Sequence, residues 1–232
     1  MEQTMRVPLT VQQSASTERQ RCETNNPKPA SGQSICLSGL IRQDKLASAQ
    51  ERSPLTRAVT LEPLGASERE VRITCGFAPW RFGDCLIATS EHGICWLDPA
   101  PSGSALSQLQ KFWNVGCVRI DHDIAAQLAA MVFEGQGPAP AVHLRGTEFQ
   151  LRVWQALLGI RAGNWMSYGT LARELGMPRA ARAVGRAVGA NNLAVLVPCH
   201  RVLPASGLPG YYRWGADLKQ ALLCDEAARD SN

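Results

Sequence analysis

The 232-residue sequence predicts a mixed α/β protein in two parts: a small sheet with helices, then a mainly α unit carrying a helix-turn-helix. Three observations predict it. Between residues 69 and 146, short apolar runs alternate in strand fashion around a hairpin signal and are interleaved with helical periodicities. From residue 147 onward, helix caps and 3.6-residue spacing take over. Residues 1–68 contain no Phe, Trp or Tyr, the first aromatic being Phe77. Such a polar segment buries too little to offset its ordering entropy, so it reads as a mostly disordered leader with at most a short helix around Leu37–Leu46.

In the first part, Val71, Ile73 and Cys75 alternate as a half-buried strand would. Cys85–Ala88 and Ile94–Leu97 flank Ser90-Glu91-His92-Gly93, a hairpin signal. Leu106, Leu109 and Trp113 suggest one helix, and Ile124, Leu128, Met131 and Val132 a second. Ala141–Leu144 suits one more strand. In the second part, Thr147 and Gln150 form a capping box ahead of Phe149, Val153, Trp154, Leu157 and Leu158 on one helix face. Ser167 caps the next helix, with Leu171 and Leu175 inward and Gly176 ending it. Pro178 suits the first position of a third helix running to about Ala190. This divides the chain into a leader at 1–68, an α/β unit at 69–146 and a helix-turn-helix unit at 147–228.

Composition excludes several classes. No apolar stretch approaches a membrane span, and the N-terminus lacks a charged-then-apolar signal, which predicts a cytoplasmic protein. The eight cysteines form no C-x-x-C pair and no disulfide framework, so reduced thiols and no metal are expected. No glycine-rich dinucleotide or S-adenosylmethionine loop is present, so no cofactor is expected. The net charge of +4 is local: residues 161–186 hold five arginines against Glu174 alone, which also sums to +4. A basic patch on a balanced protein suits a polyanion, although a solvated helix face is the default for such a run.

The third helix weighs against that default. At 100° per residue, Ala181, Val184 and Val188 form an apolar stripe, and Arg179, Arg182 and Arg186 cluster on the opposite side. Gly185 and Gly189 lie between them, costing helix stability but allowing close backbone approach. Such a helix fits a nucleic-acid groove. Downstream, the apolar run Val195–Val197, long enough for a buried strand, ends in Pro198 and delivers Cys199, followed by His200 and Arg201. A thiol attacks as thiolate, and a histidine and basic neighbours can lower its pKa from about 8.5. Most isolated cysteines are merely small buried side chains.

Val197-Pro198-Cys199-His200-Arg201-Val202 resembles the signature of the O6-alkylguanine-DNA alkyltransferases. Ser167-Tyr168, Arg179–Gly185, Asn191, Gly210–Gly215 and Glu226 fall at that family's spacings, and Gly83–Cys95 resembles the N-terminal subdomain of the C-terminal half of bacterial Ada. The resemblance covers roughly residues 70–228 and implies a ribonuclease-H-like N-terminal subdomain. It implies irreversible, single-turnover transfer of a methyl or other alkyl group from O6 of guanine, and from O4 of thymine, to Cys199. Double-stranded DNA would be the partner of a monomer, with no cofactor. His200 would reach Cys199 through a water and be oriented by Glu226. Asn191 would brace the cysteine loop, and Tyr168 would help rotate the nucleotide and assist the leaving guanine. Arg182 would fill the vacated stack, with Arg179, Arg186, Tyr168, Ala181 and Gly185 completing the DNA face. Tyr212 and the Arg213 backbone amide would line the pocket, the Cys199 and Val202 carbonyls would read the guanine edge, and Trp214 would restrict bulky alkyl groups.

Two features of Ada are missing: the four-cysteine metal domain and the regulatory DNA-binding domain have no counterpart in residues 1–68. Other readings stay open on the residues alone. One is a non-repairing lesion-binding protein, which in this family lacks the cysteine. Another is an alkylation-sensing transcriptional regulator, and a third is a Cys-His hydrolase.

Overall fold

The structure, a computed structural model, describes residues 42–43, 58–65 and 71–230. A six-stranded sheet runs in the order β2-β7-β5-β4-β3-β6. Its antiparallel centre is β3 (Thr74–Trp80), β4 (Gly83–Ser90) and β5 (Gly93–Asp98). Parallel strands flank it: β2 (Ala58–Pro63), β7 (Ala141–Gly146) and the short β6 (Arg119–Ile120). The β4–β5 hairpin turns at Glu91–His92, where the spacing predicts it.

Helices cover both faces of this sheet. Helix α1 (Ala105–Trp113) packs Leu109 and Trp113 against Ile73, Cys75, Leu86, Ala88 and Trp96. On the other face lies α2 (His122–Ala129), which continues as a π-helical turn over Ala130–Glu134. Gly76 lets α2 approach β3: a Cβ there would sit 2.5 Å from the Asp121 carbonyl oxygen and 2.9 Å from Ala125 Cβ. Helix α3 (Glu148–Leu157) shares that face, its capping box formed by Thr147 and Gln150 as the sequence indicates. One apolar core runs from Ile87, Leu97 and Val142 through Trp154 and Leu157 to Val188, Leu196 and Cys199.

The leader expectation needs correction in two places. Ala58–Pro63 is the edge strand β2, six residues in parallel register with β7. Arg42–Gln43, inside the stretch allowed a short helix, is strand β1. Neither needs an aromatic: Val59 and Leu61 of β2 supply its apolar contact with the core. The rest of residues 1–68 lies outside the described residues, apart from Leu64 and Gly65 in the turn after β2. The first strand also begins later than the Val71 alternation suggests, at Thr74.

A second sheet, β1-β8-β9, joins Arg42–Gln43, β8 (Asn164–Ser167) and β9 (Val202–Leu203) in parallel. It feeds α4 (Tyr168–Glu174) and is followed in the chain by α6 (Ala216–Asp230); α5 (Ala181–Gly189) packs on α3 and α4. Pro178 does not start α5. The Ala180 N–H bonds the Met177 carbonyl at 2.9 Å, so Pro178 sits at the second position of a turn, which its fixed φ also suits. The six cysteines among the described residues are all free thiols, and none of the described helices is long and apolar enough to cross a membrane.

Gly93 closes the hairpin at φ +124°, and a Cβ there would run into the Ala141 backbone. Gly93→Ala is expected to cost about 3 kcal/mol in urea unfolding through strain and overpacking. Removing the cap with Thr147→Ala should cost only about 1 kcal/mol in the same titration.

Candidate active site

Two residues of the site flank the second sheet. In the second sheet Met166 pairs with Val202 and Ser167 with Leu203. Tyr168 follows the C-terminal end of β8 and Cys199 precedes the N-terminal end of β9, so in this parallel sheet they flank opposite ends, yet both line one cavity. Ser167 caps α4, its Oγ accepting the Thr170 N–H at 3.0 Å, which starts the helix at Tyr168.

The run ahead of Cys199 is not the buried strand that its apolar character predicts. Leu193 makes only a single parallel bridge to Leu97. The chain then turns tightly, with Leu196 N–H to Ala194 O at 2.7 Å and Cys199 N–H to Val197 O at 2.7 Å. Val195 holds φ +67°, a left-handed conformation rare for a β-branched residue. Asn191 makes this path affordable to the backbone. Its Oδ1 accepts the Leu193 N–H at 2.9 Å, and its Nδ2 donates to the Val197 carbonyl at 2.9 Å and lies 3.2 Å from Cys199 Sγ. The amide group thus does the work a strand ladder would otherwise do.

Cys199 begins a single 3-10 turn, Cys199–Arg201, and is 3% exposed. His200 points elsewhere: its Nε2 meets Glu226 Oε1 at 2.8 Å. Arg201 donates Nε and Nη2 to the same carboxylate at 2.9 and 2.8 Å, and Nη1 to the Ile160 carbonyl at 2.5 Å. Burial alone would push the Glu226 carboxyl up, but His200 and Arg201 bring it down to about 2. Burial pushes His200 down, toward the neutral ring. A neutral His200 donating from Nε2 keeps a lone pair on Nδ1, which is buried and has no hydrogen-bond partner among the described residues.

The expectation that basic neighbours lower the Cys199 pKa is therefore corrected. Burial pushes this thiol up. Asn191, Tyr212 (Oη 3.9 Å from Sγ) and Lys219 oppose that rise, whereas the adjacent Arg201 is committed to Glu226. Lys219 was not singled out by sequence. Its ammonium is fully buried, donates to the Val202 carbonyl at 2.7 Å and is lowered to about 8 by burial. A readable signal existed: Lys219, Leu222 and Leu223 stand at i, i+3 and i+4, so the inward face of α6 includes the lysine.

Cys199 opens on a cavity of about 430 Å³, walled by Tyr168, Arg182, Tyr212, Trp214 and Lys219. Ala181 and Gly185 also line it, and Gly185 faces the Tyr168 ring at a would-be Cβ distance of 3.6 Å. Arg182 and Arg186 are exposed on α5, whose buried stripe is Val184, Ala187 and Val188, and Arg179 is exposed in the turn before the helix rather than on it. His200, Glu226 and Asn191 stand outside the cavity lining, behind Cys199. The carbonyls of Cys199 and Val202 each already accept one bond, from Val202 N–H and Lys219 Nζ, leaving one lone pair apiece. No cluster of side chains among the described residues could hold a metal.

This fold resembles the crystal structure of Mycobacterium tuberculosis O6-methylguanine methyltransferase, with a TM-score of 0.57 and 35% identity over 68% of this chain and 94% of that one. The chain belongs to that methyltransferase family. The family model described as the 6-O-methylguanine DNA methyltransferase DNA-binding domain matches residues 148–228. The Mycobacterium tuberculosis OGT structure in complex with DNA matches at a TM-score of 0.56 and 33% identity, over 67% of this chain and 94% of that one. The Escherichia coli bifunctional transcriptional activator/DNA repair enzyme Ada is 35% identical over 182 residues, which is 73% of this chain and 51% of Ada. The methylated-DNA–protein-cysteine methyltransferase of Mycobacterium tuberculosis is 55% identical over 86 residues, 37% of this chain and 52% of the relative. The chain spans about half the length of the curated relatives it matches.

Glu226→Gln should reveal the buried cluster. Between pH 4.5 and 2 the unfolded chain protonates Glu226 while the folded one does not, so stability falls as pH falls through that window. The variant should lack this acid slope and lose about 3 kcal/mol at pH 7, since Arg201 is left buried and unpaired. Urea titrations at several pH values would read both effects.

Proposed function

We propose that this protein repairs alkylated double-stranded DNA by moving a methyl or other alkyl group from O6 of guanine, or O4 of thymine, irreversibly onto Cys199. The observation that carries this is a buried cysteine at the floor of a cavity whose rim is an arginine-faced helix. Cys199 Sγ attacks the alkyl carbon, the carbon–O6 bond breaks, and its electron pair stays on the guanine. The thiol proton passes through a water to the free Nδ1 of His200, held neutral and oriented by Glu226. Lys219 and the Asn191 amide favour the thiolate from either side, and Tyr168 assists the departing guanine. Each molecule reacts once, because the thioether formed has no route back. No cofactor enters the scheme.

O6 is out of reach inside a duplex, so the nucleotide is extruded into the cavity. Helices α4 and α5 act as the helix-turn-helix, with Arg182 entering the vacated stack and Arg179 and Arg186 on phosphates. Tyr168, Ala181 and Gly185 complete the DNA face. Tyr212 and the Arg213 backbone amide hold the base, and the remaining lone pairs of the Cys199 and Val202 carbonyls read its edge. Trp214, in the cavity wall, disfavours bulky alkyl groups. The finer fold and domain assignment belongs to the same reading. It places a ribonuclease-H-like subdomain at 69–146, supported by three antiparallel strands followed by a parallel one, ahead of a helix-turn-helix subdomain at 147–228. The protein acts as a monomer.

Intact-protein mass after incubation with O6-methylguanine duplex tests this directly. One methyl-sized gain in the wild type, absent in Cys199→Ser, is the expected result. Tight DNA binding with no gain would move the protein to a lesion-binding or regulatory role. Arg182→Ala is expected to slow transfer from duplex DNA by about tenfold or more, a few kcal/mol of extrusion energy being lost, and to leave transfer from the free base nearly unchanged. Equal losses on both substrates would reject the finger role.

A further inference from the structure

Arg213 lies between the cavity-wall residues Tyr212 and Trp214, yet its side chain is engaged with the large sheet and its covering helix. Nη2 donates to Gln108 Oε1 of α1 at 3.0 Å, across 105 residues of sequence. Nη1 donates to Asn192 Oδ1 at 2.6 Å and to the Asn191 carbonyl at 3.4 Å. The guanidinium sits between two indoles, 5.7 Å from the Trp96 ring centre in β5 and 5.4 Å from that of Trp214. It also opposes the burial that raises the pKa of the neighbouring Asp98.

The backbone of the loop carrying these residues has few bonds of its own, although Tyr212 is buried in the core and the Trp214 side chain also reaches Asp98. Among the described residues, its backbone between Leu208 and Trp214 makes one backbone-to-backbone hydrogen bond, the Gly215 N–H to the Tyr212 carbonyl at 3.1 Å. Leu208 and Tyr211 face solvent, Tyr211 at 87% exposure. Trp214 packs edge-on against Tyr212, 5.2 Å between ring centres, so its placement sets how much of the cavity remains beside Cys199. A fork-shaped cation with several fixed acceptors and two aromatic faces is well suited to hold such a wall.

We propose that Arg213 is a specificity-positioning residue: by clamping Trp214 to α1 and β5, it sets the size of alkyl group that Cys199 can accept. The size limit is then imposed by Trp96 and Gln108, far from Cys199 in sequence. The inference rests on the alkyl-transfer reading and deepens it.

The test compares transfer rates to Cys199 from duplexes carrying O6-methylguanine or O6-benzylguanine, using the full chain. Arg213→Met should raise the benzyl-to-methyl rate ratio about tenfold, the scale of a desolvated guanidinium–indole contact with its hydrogen bonds. Trp214→Gly should raise it further, and the double variant should match Trp214→Gly alone, because the clamp acts through the indole. Gln108→Leu, which removes one of the hydrogen bonds of Arg213 together with the Gln108–Ser104 contact at the start of α1, should shift the ratio in the same direction by a smaller factor and serves if Arg213→Met does not fold. An unchanged ratio in the folded variants, or independent effects in the double variant, overturns the proposal. A second readout needs no alkyl transfer: Cys199 labelling by N-pyrenylmaleimide relative to iodoacetamide should rise in Arg213→Met. If wild type gains no methyl, the alkyl-transfer reading fails while this labelling ratio still decides the clamp.

Discussion

The arrangement around Cys199 depends on one buried carboxylate. Glu226 takes His200 Nε2, Arg201 Nε and Nη2, and more distantly the Gly163 N–H at 3.4 Å. Those partners come from the loop before β8 and from the 3-10 turn, while Glu226 itself lies on α6. A single ion pair in water is worth little, but here neither partner can be removed without stranding a charge away from solvent. The cluster also decides chemistry. By accepting from Nε2 it fixes the His200 tautomer and leaves Nδ1 as the basic nitrogen.

A second constraint is the path of the chain into Cys199. The turns at Ala194–Val197 and the left-handed Val195 are local strain of a kind that persists only where the surroundings over-determine it. Asn191 over-determines it. One amide satisfies acceptors at Leu193, Val197 and Cys199 and accepts from the Leu193 N–H. Aspartate would keep the acceptor and lose every donor, and it would set a negative charge beside the thiol. Leu97, bridged to Leu193, ties this path to the large sheet, and the Arg213 clamp engages the same sheet. The cavity is lined by residues 168–219, and the apolar core behind it continues into the large sheet.

Much of this was legible. The hairpin, the α1 periodicity, the Thr147 capping box and the Ser167 cap are local signals that local physics decides, and they stand where the sequence placed them. Cys199, Tyr168, Arg182, Tyr212 and Trp214 line one cavity, and Asn191, His200 and Glu226 back it. What misled was non-local. Val195–Val197 has strand composition, but no neighbouring strand offers a ladder, so a side chain took over. Ala58–Pro63 carries a weak signal because an edge strand needs only a partner, which is β7, nearly eighty residues later. Arg201 reads as a cation beside the thiol, yet its fork geometry matches the carboxylate brought in by α6. Lys219 was visible in the inward stripe, but an interior lysine runs against the general preference of helices to face charge outward.

On the proposed reading, burial serves two ends that pull against each other. A dry thiol is a poor thiolate, and desolvation pushes Cys199 up. The same dryness strengthens every fixed dipole and charge aimed at it, so the Asn191 amide and the Lys219 ammonium act in a medium where they count for more than in water. An entering base would displace solvent from the cavity and lower the local dielectric further, which raises the leverage of Lys219 at the moment the sulfur needs it. An enzyme that must regenerate its nucleophile thousands of times would be slowed by a thiol so well shielded. A protein whose cysteine reacts once gains from the shielding, because the thiol is protected from other electrophiles until a fitting base fills the cavity.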